Sequence, residues 1–163
     1  MRLARVITLA AFSAFMVGTS FAQQPAVPAA AAPVPEQILN ARKVFIANAP
    51  GDLVSYPKNE VTRPYNEFYA AMKGWGRFQL VTSPAEADLV LEIKITDQPV
   101  INIKTGSEYR QPEFALTFVD PKTGVPLWWL AEIIQGANRP ATLEKNYTAA
   151  LTSVVNDLKK LVQ

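Results

Sequence analysis

Two short fragments of this chain have the form of catalytic signatures. Ser55-Tyr-Pro-Lys58 fits S-x-x-K and Lys122-Thr-Gly124 fits K-T-G, both used by penicillin-recognising serine enzymes. In that chemistry the serine opens a helix, so that the lysine one turn later faces its hydroxyl. Here Pro57 stands between the two and no helical periodicity follows directly. The K-T-G belongs to a turn that backbone geometry alone accounts for. The remaining acid–base material is carboxylate, because the chain has neither histidine nor cysteine. That double absence removes disulfides, thiol nucleophiles, histidine-based triads and zinc sites with Cys or His ligands. Asp88, Glu92 and Asp97 are close in sequence, but a catalytic pair needs a pocket that drives its two pKa values apart, and no such pocket is indicated. The D-x-D-x-D-G spacing of a calcium loop is missing. Gly74-Trp75-Gly76 lacks the G-x-G-x-x-G phosphate pattern and reads as a helix end. Asn146-Tyr-Thr148 fits a glycosylation sequon but falls inside a helical stripe. No catalytic residue, cofactor or metal is expected.

Recognition is what remains. Tyr65, Phe68, Tyr69, Phe114 and Phe118 recur at core-facing spacings. Tyr56, Trp75 and Trp128 are less easily placed inside, and with Leu130 they form the candidate binding surface. Along Leu127 to Ile134, one set of alternate residues (Leu127, Trp129, Ala131, Ile133) is wholly apolar, while the other (Trp128, Leu130, Glu132, Ile134) includes a carboxylate. Alternation therefore sends Trp129 into the core and Trp128 with Leu130 onto the opposite face as an apolar patch. The competing expectation is that the segment from Asp97 to Gln111 folds over that face and buries Trp128.

The elements that position these residues follow from periodicity. Lys43 to Asn48 is a short β-rich run closed by Asn48-Ala-Pro-Gly-Asp52. Val61, Tyr65, Phe68, Tyr69 and Met72 mark a helix, capped by Thr62, with Pro64 in its first turn and Gly74 at its end. Arg77 to Val81 is a strand, and Ser83-Pro84-Ala85-Glu86 is a capped single turn. Leu89, Leu91, Ile93 and Ile95 alternate with Val90, Glu92 and Lys94 in the best strand of the chain. Val100 to Lys104 extends it or forms a separate edge strand, and Thr105 to Gln111 reads as loop. Phe114, Leu116 and Phe118 mark a further strand, Asp120 to Gly124 a type I turn with a bulge, and Leu127 to Ile134 the return strand. From Leu143 to Val162 a single apolar stripe traces a long terminal helix, with Leu151, Val154, Leu158 and Val162 expected to cover Leu91 and Ile93. Two amphipathic helices and one half-polar sheet give an α/β (α+β) two-layer sandwich: a mixed sheet of about five strands with two main helices on one face.

Ahead of this domain, assigned to residues 39–163, residues 1–22 read as a secretory signal. Arg2 and Arg5 supply the positive region and Val6 to Val17 the apolar one. Ser20-Phe21-Ala22 offers the small residues a signal peptidase needs, with cleavage after Ala22. The apolar stretch is shorter than the roughly 18–20 residues that span a bilayer, so no stable membrane insertion is expected after cleavage. No cysteine follows it, which argues against a lipid anchor. Residues 23–38 form a Pro/Ala-rich flexible linker: Pro25 to Pro35 holds four prolines, five alanines and two valines. Of the 16 basic and 14 acidic side chains, two basic ones lie in the leader, leaving 14 of each. A neutral domain gives no reason to expect nucleic acid or an anionic membrane surface. The expected location is periplasmic or secreted.

Ala87-Asp88 followed by Leu89-Val90-Leu91 resembles the "AD" plus hydrophobic strand of TolB amino-terminal-like domains. Phe118-Val119-Asp120 through Thr123-Gly124 to Leu127-Trp128 resembles their "D..TG..LW" hairpin. The resemblance covers about Arg42 to Gln163. It implies a bacterial envelope domain that binds other proteins, although neither the lipid-acceptor cysteine nor a following β-propeller is present here. The expected function is a non-catalytic interaction module with an envelope protein partner, its oligomeric state left open. The alternative is a small-ligand or peptide-binding domain using the open sheet face.

Overall fold

Residues whose apolar side chains alternate along strands, joined to helices with one apolar stripe, can bury both only by laying the helices across one sheet face. The structure, a computed structural model that describes residues 32–51 and 62–163, does this. A short helix α1 (Glu36–Asn40) leads into β1 (Lys43–Asn48). Helix α2 (Arg63–Trp75), β2 (Gln79–Val81), a 3-10 turn (Pro84–Glu86), β3 (Leu89–Ile101), β4 (Glu108–Val119), β5 (Pro126–Ile133) and α3 (Pro140–Leu161) follow. The sheet order is β2-β1-β3-β4-β5. β1 pairs parallel with β2 and β3, whereas β3, β4 and β5 pair antiparallel, so the sheet is mixed.

The core lies between the helices and one face of this sheet. Val44, Ile46, Leu89, Leu91, Ile93, Ile95, Phe114, Leu116 and Phe118 come up from the strands. Phe68 and Met72 of α2, with Tyr147, Ala150, Leu151, Val154, Val155 and Leu158 of α3 and Val162 just beyond, come down from the helices. The two long helices are also joined at their N-terminal ends. The Arg63 guanidinium lies 4.2 Å over the Tyr147 ring and pairs with Glu67 of its own helix and Glu144 of α3. Tyr147 in turn meets Phe114 edge-on, with centroids 5.0 Å apart.

Several sequence expectations need correction. Ile38 is fully buried within α1, so the packed region begins inside the segment assigned to a linker through residue 38. Gly74 does not end α2; the helix runs to Trp75 and Gly76 takes the left-handed cap at φ 69°, its N–H donating to the Met72 carbonyl. Residues 108–111 are strand rather than loop, because β3 and β4 keep pairing as far as Ile101 opposite Glu108. The stretch from Asp97 to Gln111 therefore extends outward with the strands and does not fold over the sheet.

The largest correction concerns β5. The hairpin turn forms as expected: the Asp120 N–H donates to Val125, the Gly124 N–H donates back to Asp120, and Gly124 sits at φ 72°. A straight ladder from that turn would set Leu127 opposite Phe118 and carry Trp129 into the core. The register instead slips by one between Val119, which faces Pro126, and Phe118, which faces Trp128. One extra residue, Leu127, is accommodated as a bulge, and every side chain beyond it changes face. Trp128 and Leu130 pack against the core beneath the helices, and Trp129 is exposed. The expected facing of the two tryptophans is thus reversed.

Candidate functional site

The residues of the two hairpin and strand motifs meet at one end of the sheet. Asp88 precedes β3, and its Oδ2 accepts from the backbone N–H groups of Arg42 (3.0 Å) and Lys43 (2.9 Å), tying the start of β1 to the start of β3. Those N–H groups hold the Asp88 carboxyl below its ordinary value. Asp120 organises the β4–β5 turn: Oδ1 accepts from the Lys122 N–H at 3.0 Å and Oδ2 from the Thr123 hydroxyl at 2.7 Å. These contacts, the Lys122 N–H first, lower its pKa as well. Gln37 of α1 bridges the two, donating to the Asp88 carbonyl and to Asp120 Oδ1. A shallow depression of about 280 Å³ lies here, lined by Gln37, Ala87, Asp88, Asp120 and Lys122. Both carboxylates are occupied by backbone and hydroxyl donors, so the cluster holds strand ends and a turn together.

The other candidate catalytic groups are dispersed. Lys122-Thr-Gly124 is this same turn. Ser55 and Lys58 lie outside the described residues, as do Tyr56 and the cleavage position Ala22. Glu92 and Asp97 fall on opposite faces of β3, since their positions differ by an odd number. Among the described residues no group of three or more carboxylates is placed to hold a metal ion. Trp75 is half-buried, edge-on to Phe78 at 5.4 Å with the Lys159 ammonium 5.6 Å from its ring centre. It joins the end of α2 to the end of α3. Trp75, Trp128 and Leu130 are each partly buried and packed against the core.

Two exposed features take their place. The face away from the helices is largely closed at its centre, where Val90, Glu113, Ala115 and Val119 are buried. It opens along β5, where Trp129 is 56% and Ile133 45% exposed. The second feature is the outer part of the β3–β4 hairpin. β1 stops pairing at Asn48 opposite Ile93, and β5 at Ile133 opposite Glu113. From Asp97 and Pro112 outward the two strands form a ribbon flanked by no other described strand, closed by a turn in which the Gly106 N–H donates to Asn102. Its apolar side chains point to water: Ile101 is 67%, Ile103 97% and Tyr109 48% exposed. Ile101 and Ile103 fall in the Val100 to Lys104 run expected to extend β3 or form an edge strand, and Tyr109 in the polar Thr105 to Gln111 stretch expected to be loop. Pro99 and Pro112 lie in this part of the hairpin, and prolines suit an unpaired edge.

No family model matches the chain, and no curated protein matches it. Among solved structures it is similar to protein XCC0632 from Xanthomonas campestris, at 12% identity over 77% of this chain and 86% of that one, with a TM-score of 0.50. It is also similar to a neuraminyllactose-binding hemagglutinin homolog from Helicobacter pylori, at 13% identity over 76% and 87% of the two chains and a TM-score of 0.48. A third is the PelC dodecamer from Paraburkholderia phytofirmans, at 13% identity over 72% and 87% and a TM-score of 0.48. None of these is a TolB domain, so the label drawn from the AD and D..TG..LW motifs is not retained. The likeness to the Xanthomonas protein is one of fold.

Proposed function

We propose that this protein is an exported, non-catalytic module of the bacterial cell envelope that binds a protein partner through the tip of the β3–β4 ribbon. Export rests on the Arg2/Arg5, Val6–Val17 and Ser20–Ala22 pattern of the sequence. The observation that carries the binding site is the position of Ile101, Ile103 and Tyr109, three large apolar side chains exposed on an otherwise unsupported ribbon. A two-stranded ribbon is marginal in water unless something packs on it. Exposed apolar surface of this kind is characteristic of contact sites. A protein surface that covers the tip supplies both the packing and the burial. The small-ligand alternative has less support, because the depression beside Asp88 and Asp120 is shallow and its carboxylates are already bonded.

Placing a photoreactive amino acid at Ile103 in the protein's own cells, and separately at Thr152 on α3, tests this. The expected result is a discrete protein adduct from position 103 that is absent from position 152. Adducts only to lipid, or none, would overturn the reading.

A further inference from the structure

The two edges of the sheet are built differently. β2 is three residues long and offers little to pair with. β5 is eight residues long, and none of its residues is fully buried, in contrast to the central strands. Its hydrogen-bonding directions can be assigned. The Ile134 N–H donates to the Pro112 carbonyl of β4, and in an antiparallel ladder alternate residues turn both backbone groups to the same neighbour. Ile134, Glu132, Leu130 and Trp128 therefore face β4. Trp129, Ala131 and Ile133 direct their N–H and C=O groups away from the sheet, and no described strand pairs with them.

Natural sheets usually guard such an edge with proline, lysine, a bulge or an inward charge. This chain does so along the ribbon, where Pro99 and Pro112 interrupt the donors. On β5 past Leu127 the one such guard is the inward carboxylate of Glu132, which points to the helix side beside Asp157, and the outward-directed positions carry none. The three outward positions are apolar, their side chains share the helix-free face, and two of them are the exposed Trp129 and Ile133.

We infer that β5 is a self-association edge: two copies pair their β5 strands antiparallel about a two-fold axis at Ala131, giving a continuous ten-stranded sheet. The register follows from the side chains. With Ala131 opposite Ala131 of the second copy, Trp129 lies opposite Ile133 of that copy, and its Trp129 opposite Ile133 here. The two exposed apolar groups then cover each other twice, an aromatic–β-branched cross-strand pairing that favours sheet formation. A small residue stands at the axis, where identical side chains must meet. No charge is brought onto the shared margin of that face, so the strand is its own complement. A single strand pair is small beside the roughly 1,200–2,000 Å² of a standard interface, which makes the dimer concentration-dependent. This edge is separate from the ribbon tip and does not depend on the binding reading above.

Because the sequence contains no cysteine, a single introduced one reports without background. Residues opposite each other in a hydrogen-bonded antiparallel pair have Cα atoms about 5.5 Å apart, within disulfide reach. Sedimentation of the full exported chain should show a mass rising toward twice the monomer with concentration. Ala131→Cys should oxidise to a covalent dimer, and Thr152→Cys on α3 should not. Ala131→Lys should sediment as a monomer at every concentration while keeping its circular dichroism spectrum and melting temperature. A wild-type chain that stays monomeric, an Ala131→Lys chain that still dimerises, or an Ala131→Cys chain no more cross-linked than Thr152→Cys would each overturn the inference.

Discussion

A single tryptophan position separates the two readings of the return strand. Trp128 opposes Phe118 and packs on the core, whereas Trp129 opposes Thr117 and stands out from the helix-free face. Trp128→Ala should therefore destabilise by about 2–4 kcal/mol, somewhat below the range for a fully buried aromatic. Trp129→Ala should stay within roughly 0.5 kcal/mol in dilute solution, as for other exposed positions. Chemical denaturation of both variants at low concentration measures this, and the opposite ranking would restore the unbulged register. Alternation was legible in the sequence, but its phase was not. Asp120-Pro-Lys-Thr-Gly124 announces a turn, yet the slip occurs at Leu127, three residues beyond it, where no residue type marks it. The motif carboxylates were legible in another sense. Asp88 and Asp120 stood out in the sequence, and their positions carry meaning for the backbone rather than for catalysis, since each accepts N–H bonds that fix a strand end or a turn.

Helix α3 shows how far periodicity alone can reach. Leu151, Val154, Leu158 and Val162 form the stripe expected of them and share the core with Leu91 and Ile93. Replacing Leu158, which is fully buried, with alanine should cost about 2–5 kcal/mol and lower the melting temperature by several degrees. An unchanged melting temperature would mean the helix is not docked. A twenty-two-residue helix is long enough to average out single exceptions, which is why its stripe could be read. The short elements were harder. α1 has five residues and follows a Pro/Ala tract, so it shows no period of its own, and only the burial of Ile38 reveals that it belongs to the core. Close approach is equally silent. A side chain at Gly51 would collide with the Ile95 carbonyl, because the chain leaving β1 runs hard against β3, and nothing in Asn48-Ala-Pro-Gly announces that contact beyond a turn.

Over the whole molecule, ionisable groups set a direction for acid sensitivity. Asp88, Asp120, Glu144 and Asp157 are all held below their ordinary values, by the Lys43 N–H, the Lys122 N–H, the Arg63 side chain and the Lys160 ammonium respectively. Each contributes stability above its unfolded pKa and loses it as pH falls through the folded one. Glu132 behaves oppositely: burial, and then the neighbouring Asp157, raise its pKa, while Lys160 pulls the other way. Its folded state holds the proton more tightly, so stability is lost as pH rises from the ordinary carboxylate value through the folded pKa. The melting temperature should therefore fall on acidification from about pH 5 to pH 2. Glu132→Gln should melt higher than the parent near neutral pH and indistinguishably from it at the acid end. Melting curves across that range measure both effects, and a gain from Glu132→Gln that persists in acid would point to a cause other than its charge.

The bulge at Leu127 also decides how the chain tolerates changes of length. Removing Leu127 itself forfeits one partly buried side chain but leaves Trp128 opposite Phe118 and straightens the ladder. Removing any single residue between Leu130 and Ile133 turns the rest of β5 over, moving core groups to solvent and exposed ones beneath α3. Among related chains, a deletion should therefore be found at Leu127 long before it is found three positions further on. An aligner that shifts the gap by those few positions would pair residues from opposite sides of the sheet.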